Sequence, residues 1–162
     1  MFGLKLVAPF LFALLLVSPQ GGKQIIKTGT DLGLPFSPAV RAGDVIYVSG
    51  AMATDAQGKL VAGTIQEQTR RTLENIAQTL KAAGVGLDRA ASVHVYLKNA
   101  SDFEAMNEVY RTFGRPFWND APPVRTTIVA GLVLPEALIE ISLTALRKGA
   151  ERKVILPAGW QR

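Results

Sequence analysis

Residues Pro122–Leu143 read PPVRTTIVAGLVLPEALIEISL. Two β-branched, apolar runs lie here, at about 124–130 and 137–146, joined by a Gly- and Pro-containing connection. In the second, Ile139, Ile141, Leu143 and Ala145 share one face, and Leu138, Glu140, Ser142 and Thr144 share the other, because successive side chains of a strand point to opposite sides. The first face is a core face. The second is too apolar for a solvated surface and too polar for a dry core. In the first run, Arg125, Thr127 and Val129 alternate with Val124, Thr126 and Ile128. If the two strands are neighbours, Arg125 and Glu140 meet on one semi-buried face. A buried charge needs a partner or a function.

Working outward, the other elements follow from local pattern. FSPAVRAGDVIYVSG (Phe36–Gly50) reads as two strands turning at Ala42-Gly43-Asp44. TDAQGKLVAG (Thr54–Gly63) suggests a turn around Gln57-Gly58 followed by a short strand. Thr64-Ile65-Gln66-Glu67 fits a capping box. Leu73, Ile76, Ala77, Leu80 and Ala83 then recur at helical spacing, and Gly84 suits a left-handed stop. This predicts a helix over about 65–83. SVHVYLKN alternates as a strand. Ser101-Asp102-Phe103-Glu104 offers a second capping box, followed by Phe103, Met106, Tyr110 and Phe113 on one helical face, with Gly114 as the expected end. RPFWNDAPP is expected to be a loop in which Phe117 and Trp118 pack. The order strand, strand, helix, strand, helix, strand, strand, with each helix apolar on one side only, predicts an α+β fold: one sheet with both helices on one face. The other face must be wet or covered by a second chain.

Composition limits the chemistry. The 162 residues suit one domain. There is no cysteine and one histidine, His94, so thiolate nucleophiles, disulfides and a histidine-based metal cage within one chain are excluded. The net charge of +5 sits in the tails, leaving 11 of the 18 basic and 12 of the 13 acidic side chains in residues 24–146. A near-neutral body argues against a nucleic-acid partner. At the N-terminus, Lys5 precedes an apolar run from Leu6 to Val17. That length suits a signal-peptide core and is too short to span a bilayer. Residues 1–22 are therefore expected to be an export signal or an N-terminal anchor, residues 23–147 the domain, and residues 148–162 a basic tail. The expected location is periplasmic or secreted, either free or membrane-anchored, and cytoplasmic if the signal does not work. Membrane contact is expected only through an uncleaved N-terminus, and residues 18–24 are read as a linker.

The ordered series PFSPAV, VSG, SDFEAMNEVY, PVRTT and LPEALIEI resembles the RidA family, also known as the YjgF/YER057c/UK114 family, over about Gly33–Leu146. The resemblance implies a chorismate-mutase-like fold, a homotrimer with a barrel-like centre, and pockets between adjacent subunits. It implies hydrolytic deamination of reactive enamines and imines, such as 2-imino acids, to 2-oxo acids plus ammonia, with no metal and no organic cofactor. It matches Arg125 and Glu140 to the catalytic positions, and Phe36, Ser49, Asn107 and Thr127 to substrate-binding positions. Arg125 would hold a carboxylate and Glu140 would orient or deprotonate water. Two departures stand out: Val124 replaces an alanine, and Phe36 replaces a tyrosine, removing a hydroxyl. Two other functional classes compete. One is a non-catalytic ligand-binding or chaperone-like trimer on the same fold. The other is a ribonuclease or translation inhibitor, against which the neutral body and the lack of a histidine pair argue.

Overall fold

The computed structural model describes residues 22–29, 31–119, 121–147 and 155. Six strands and two α-helices form one layer each. The strands are β1 (Lys23–Ile26), β2 (Ala39–Ala42), β3 (Val45–Ala51), β4 (Ala90–Leu97), β5 (Val124–Val129) and β6 (Ile139–Leu146). The helices are α1 (Ile65–Ala82) and α2 (Phe103–Trp118). The sheet order is β1-β2-β3-β6-β4-β5, with β4 and β5 parallel and the other pairs antiparallel. This is the expected mixed α+β fold with two helices on one face.

The core lies between the sheet and the helices. Ile46, Val48, Val93, Val95, Leu97, Ile139, Ile141 and Leu143 face Leu73, Ile76, Leu80 and Met106 across it. Each such side chain contributes roughly 1.5–3 kcal/mol on leaving water. The capping box of α1 forms as expected: Glu67 N donates to Thr64 Oγ1 and Thr64 N to Glu67 Oε2. Gly84 has φ 79° and ends the helix. Buried Gln68 ties α1 to the start of β6, its Nε2 donating to Glu136 O at 3.1 Å and its Oε1 accepting from Leu138 N at 2.9 Å.

Four local expectations are corrected. Lys23 and Gln24 belong to β1, because their backbone completes a ladder with Arg41 and Ala42. The run after Gln57-Gly58 makes only an isolated Thr54–Leu60 bridge. The second capping box is not used: Ala100–Asp102 is a 3-10 turn and Asp102 makes no side-chain cap. Gly114 does not end α2. Its missing Cβ leaves room for the Trp118 ring, which any side chain there would overlap. Trp118 is buried, donates from Nε1 to Leu87 O at 2.7 Å and packs against Tyr110 at 4.9 Å. That anchorage carries the helix on through Pro116, and the chain turns away at Asn119 (φ 46°).

Candidate functional site

The six predicted site residues fall into two clusters, and strand parity decides which. Arg125 on β5 stands opposite Val93 of β4, and Val93 is buried under the helices. Arg125 and Thr127 therefore point to the helix side at the β5 edge. Glu140 on β6 stands opposite Tyr96 of β4 and alternates with the buried Ile139 and Ile141. Glu140 therefore points to the open face. The expected meeting of Arg125 with Glu140 on one face is a correction. Strand β4 lies between β5 and β6, and the register puts the two residues on opposite faces of the same sheet.

The first cluster is built on β5 and α2. Arg125 is half-buried, and its Nη2 donates to Asn107 Oδ1 at 2.7 Å. Its guanidinium stands over the Tyr110 ring at 4.7 Å and reaches to 6.0 Å from the Phe103 ring. Phe103, Asn107 and Tyr110 occupy positions i, i+4 and i+7 of α2, one stripe of the helix. Aromatic faces under a guanidinium hold it flat and attract its charge. Arg125 carries five N–H donors; apart from the bond to Asn107, none has a hydrogen-bond acceptor among the described residues. The Thr127 hydroxyl, two residues along the same face, is buried and has no hydrogen-bond partner there either. Buried unpaired polar atoms ordinarily signal a missing ligand or neighbour. The Tyr110 hydroxyl is likewise unpaired. Burial pushes its pKa up to about 12, against the opposing pull of Arg125, so Tyr110 stays neutral.

The second cluster joins Glu140, Ser49 and Phe36. Gly50 lies against the Glu140 carboxylate so closely that a Cβ would overlap Oε1. This close approach, rather than a turn, is what requires glycine after Ser49. Ser49 Oγ donates to Ser37 O at 3.0 Å, and Ser49 N donates to Pro38 O at 3.0 Å. These bonds tie the Phe36 loop to β3. Phe36 is 58% exposed and lines a groove of about 390 Å³ with Ile25, Leu32 and Leu34. Glu140 has no hydrogen bond or ion pair among the described residues, and burial raises its pKa above that of an ordinary glutamate.

Within one protomer the two clusters cannot share a small ligand. β6, which carries Glu140, and β5, which carries Arg125, are two strand positions apart, about 10 Å at ~4.8 Å per strand, and the clusters face opposite ways. Sequence reasoning placed Tyr110 in the core and missed it as a support of Arg125; its i+3 spacing from Asn107 was the available signal. It also missed Gln68, whose pattern marked only helix. His94 is exposed on the open face. Of the leading segment and the basic tail, all but residues 22 and 155 lie outside the described residues.

Comparison with known proteins gives consistent matches. The profile of a family described as endoribonuclease L-PSP matches residues 31–147. The mitochondrial protein mmf2 of Schizosaccharomyces pombe is 44% identical over 101 residues, covering 62% of this chain and 76% of that protein. The 3-aminoacrylate deaminase RutC of Acinetobacter baylyi is 36% identical over 123 residues, covering 75% of this chain and 94% of that protein. The crystal structure of E. coli TdcF with bound serine superimposes with a TM-score of 0.69 at 27% identity, covering 77% of this chain and 99% of that one.

Proposed function

The chain belongs to the RidA/YjgF family, the one matched as endoribonuclease L-PSP, and from that membership we propose that it hydrolyses 2-imino acids and their enamine tautomers to 2-oxo acids and ammonia. The observation that carries this reading is Arg125: a half-buried guanidinium, oriented by Asn107 and two rings, with donors left over. Its planar fork suits a carboxylate held by two parallel bonds. A carboxylate-bearing enamine is the substrate named for the relative RutC, and serine, an amino acid, is bound in TdcF.

The reaction needs no strong nucleophile, because a protonated imine is already electrophilic. The Arg125 side of the site holds the carboxylate. Glu140 accepts a proton from water as the water oxygen bonds to the imine carbon, and the C=N π pair moves to nitrogen. The resulting carbinolamine takes a proton on nitrogen, its C–N bond breaks, and ammonia leaves. The hydroxyl proton is lost as the C=O bond forms. Phe36 walls the site. Since Arg125 and Glu140 lie on opposite faces of one sheet, the site is assembled between two copies of the chain, in the trimer that the family resemblance implies. The uncovered face supports that assembly: Tyr47 and Ile128 are 53% and 48% exposed there.

The test generates imines with an amino-acid oxidase and follows their loss. Wild type is expected to accelerate hydrolysis, and Phe36→Tyr to equal or exceed it, since the added hydroxyl gives the site a second polar anchor. No acceleration across several side chains would overturn the reading in favour of a binding-only trimer.

The pH profile is a second expectation. Glu140 must be ionised to accept a proton from water. Burial raises its pKa, so activity falls with decreasing pH along a limb set above the ordinary glutamate value of about 4.3. Glu140→Gln is expected to lower turnover about 10²–10⁴-fold, the usual worth of a general base, and to remove that limb. An unchanged acid limb in Glu140→Gln assigns it to another group.

A further inference from the structure

We propose that the groove walled by Ile25, Leu32, Leu34 and Phe36 is the side-chain subsite of the reaction, and that the protein prefers 2-imino acids with bulky apolar side chains, such as those derived from leucine and phenylalanine, over small or charged ones. The inference rests on the deaminase reading and adds the substrate class to it.

The groove opens where the chemistry is. Ile25 stands opposite Val40, and Val40 opposite Tyr47. Tyr47 alternates with the buried Ile46 and Val48, so Ile25 lies on the open face, as Glu140 does. Gly50 lies against the Glu140 carboxylate. Ser49, beside Gly50, holds the carbonyl oxygens of Ser37 and Pro38. Phe36 precedes Ser37 and belongs both to the groove and to that cluster. A continuous path of contacts therefore runs from Glu140 to the groove.

The walls are apolar and held in place. The four side chains are each about half exposed, a contiguous apolar patch of the kind that marks a binding site. Leu32 packs over Gly58, where a Cβ would overlap its side chain. The turn before Leu34 is fixed by Gly33 N, which donates to Asp31 Oδ1 at 3.1 Å. The charged residues of the lining, Lys27 and Asp31, pair with each other at 2.9 Å. A charged guest finds no free partner there, whereas an apolar guest displaces water from four apolar walls.

Substrate geometry points the same way. The imine carbon is planar and carries a carboxylate, a nitrogen and the side chain. The carboxylate is drawn to Arg125 from the next copy, and the attacking water to Glu140. The side chain leaves the carbon away from the carboxylate, on the Glu140 side, where Phe36 and the groove begin. At about 390 Å³, the groove can enclose an isobutyl or benzyl group and leaves a methyl group mostly in water.

The test compares imines generated by amino-acid oxidases from leucine, phenylalanine, alanine and glutamate. A buried methylene is worth about four-fold. The leucine-derived imine is therefore expected to exceed the alanine-derived one in kcat/KM by on the order of ten-fold, chiefly through KM, because a remote side chain is bound alike in ground and transition states. The glutamate-derived imine is expected to do no better than the alanine-derived one. Leu32→Ser combined with Leu34→Ser is expected to cut the leucine-to-alanine ratio to about three-fold or less, and Leu34→Ile to keep it. A ratio taken on one preparation is unaffected by the folded fraction. Calorimetric binding of the leucine- and alanine-derived 2-oxo acids reads the same subsite without turnover. Absence of turnover with a binding preference for the larger acid would overturn the deaminase reading and leave the subsite standing. The subsite is overturned by equal kcat/KM for the leucine- and alanine-derived imines, by equal binding of the two oxo acids, or by a preference that survives the double variant. A flat preference together with a double variant that no longer assembles would give the groove to contact between copies instead.

Discussion

Arg125→Ala is expected to lower the kcat/KM of imine hydrolysis by on the order of 10²–10³-fold, while the chain stays folded. Truncating one partner of a buried, hydrogen-bonded charge pair costs about 2–5 kcal/mol, and each 1.4 kcal/mol is ten-fold in rate. The anchor acts on a carboxylate present in both substrate and transition state. The loss should therefore appear substantially in KM, since uniform binding is what is removed. Arg125→Lys keeps the charge but not the planar fork, and is expected to fall between wild type and alanine. Asn107→Ala leaves the guanidinium on its rings but removes its one hydrogen-bond acceptor among the described residues, at 2.7 Å. A smaller loss is expected there, roughly ten-fold, from one charge-assisted bond. The fold should survive Arg125→Ala because the residue sits at the free edge of β5, outside the buried set that holds the sheet to the helices. Far-ultraviolet circular dichroism and the mass of the assembly check this. An Arg125→Ala protein with wild-type kcat/KM would remove the anchor from the mechanism.

Mixing two inactive variants is expected to restore activity. Arg125→Ala and Glu140→Gln each disable one cluster, and the clusters face opposite sides of the sheet. If each site takes Arg125 from one copy and Glu140 from the next, a co-assembled trimer contains sites with both groups intact. In an equal mixture with random assembly around a closed ring, each interface has the intact pair in one case out of four. Activity should then return to roughly a quarter of wild type. The double variant, co-assembled with an equal amount of wild type, should leave roughly a quarter of the sites intact, below the half that dilution alone would give. Co-expression, or unfolding and refolding together, allows exchange; simple mixing without exchange serves as the background. Failure of co-assembled proteins to regain activity would show that the two groups do not work in one site.

Much of this was legible in the chain. The Thr64–Glu67 box, the apolar stripe of α1 and the alternation in β4 and β6 are local patterns, and local patterns survive into the fold because they are fixed by residues within a turn or two of one another. The family resemblance named the same six residues that the structure sorts into two clusters. The misreadings share another cause. Gly114 resembled a helix stop but is a space for Trp118, a contact four residues on that depends on where Leu87 lies. Tyr110 scanned as core because its apolar ring dominates the pattern, yet that ring also supports Arg125. Gln68 carried no signal beyond its place in a helix, but both ends of its amide are paired to a segment some 70 residues away.

From its sequence alone this protein was determined to be a two-helix, single-sheet domain in which Arg125 shares a face with Thr127, and Glu140 an opposite one to Ile139 and Ile141. Those parities follow from the covalent geometry of an extended chain. Only the tertiary structure decided how the faces of different strands relate. It placed β6 beside β3 and slid β4 between β6 and β5, which turned Arg125 toward the helices and Glu140 away from them. The reason is that relative parity between strands is set by hydrogen-bond register across long stretches of chain, and a shift of one residue there exchanges inside for outside.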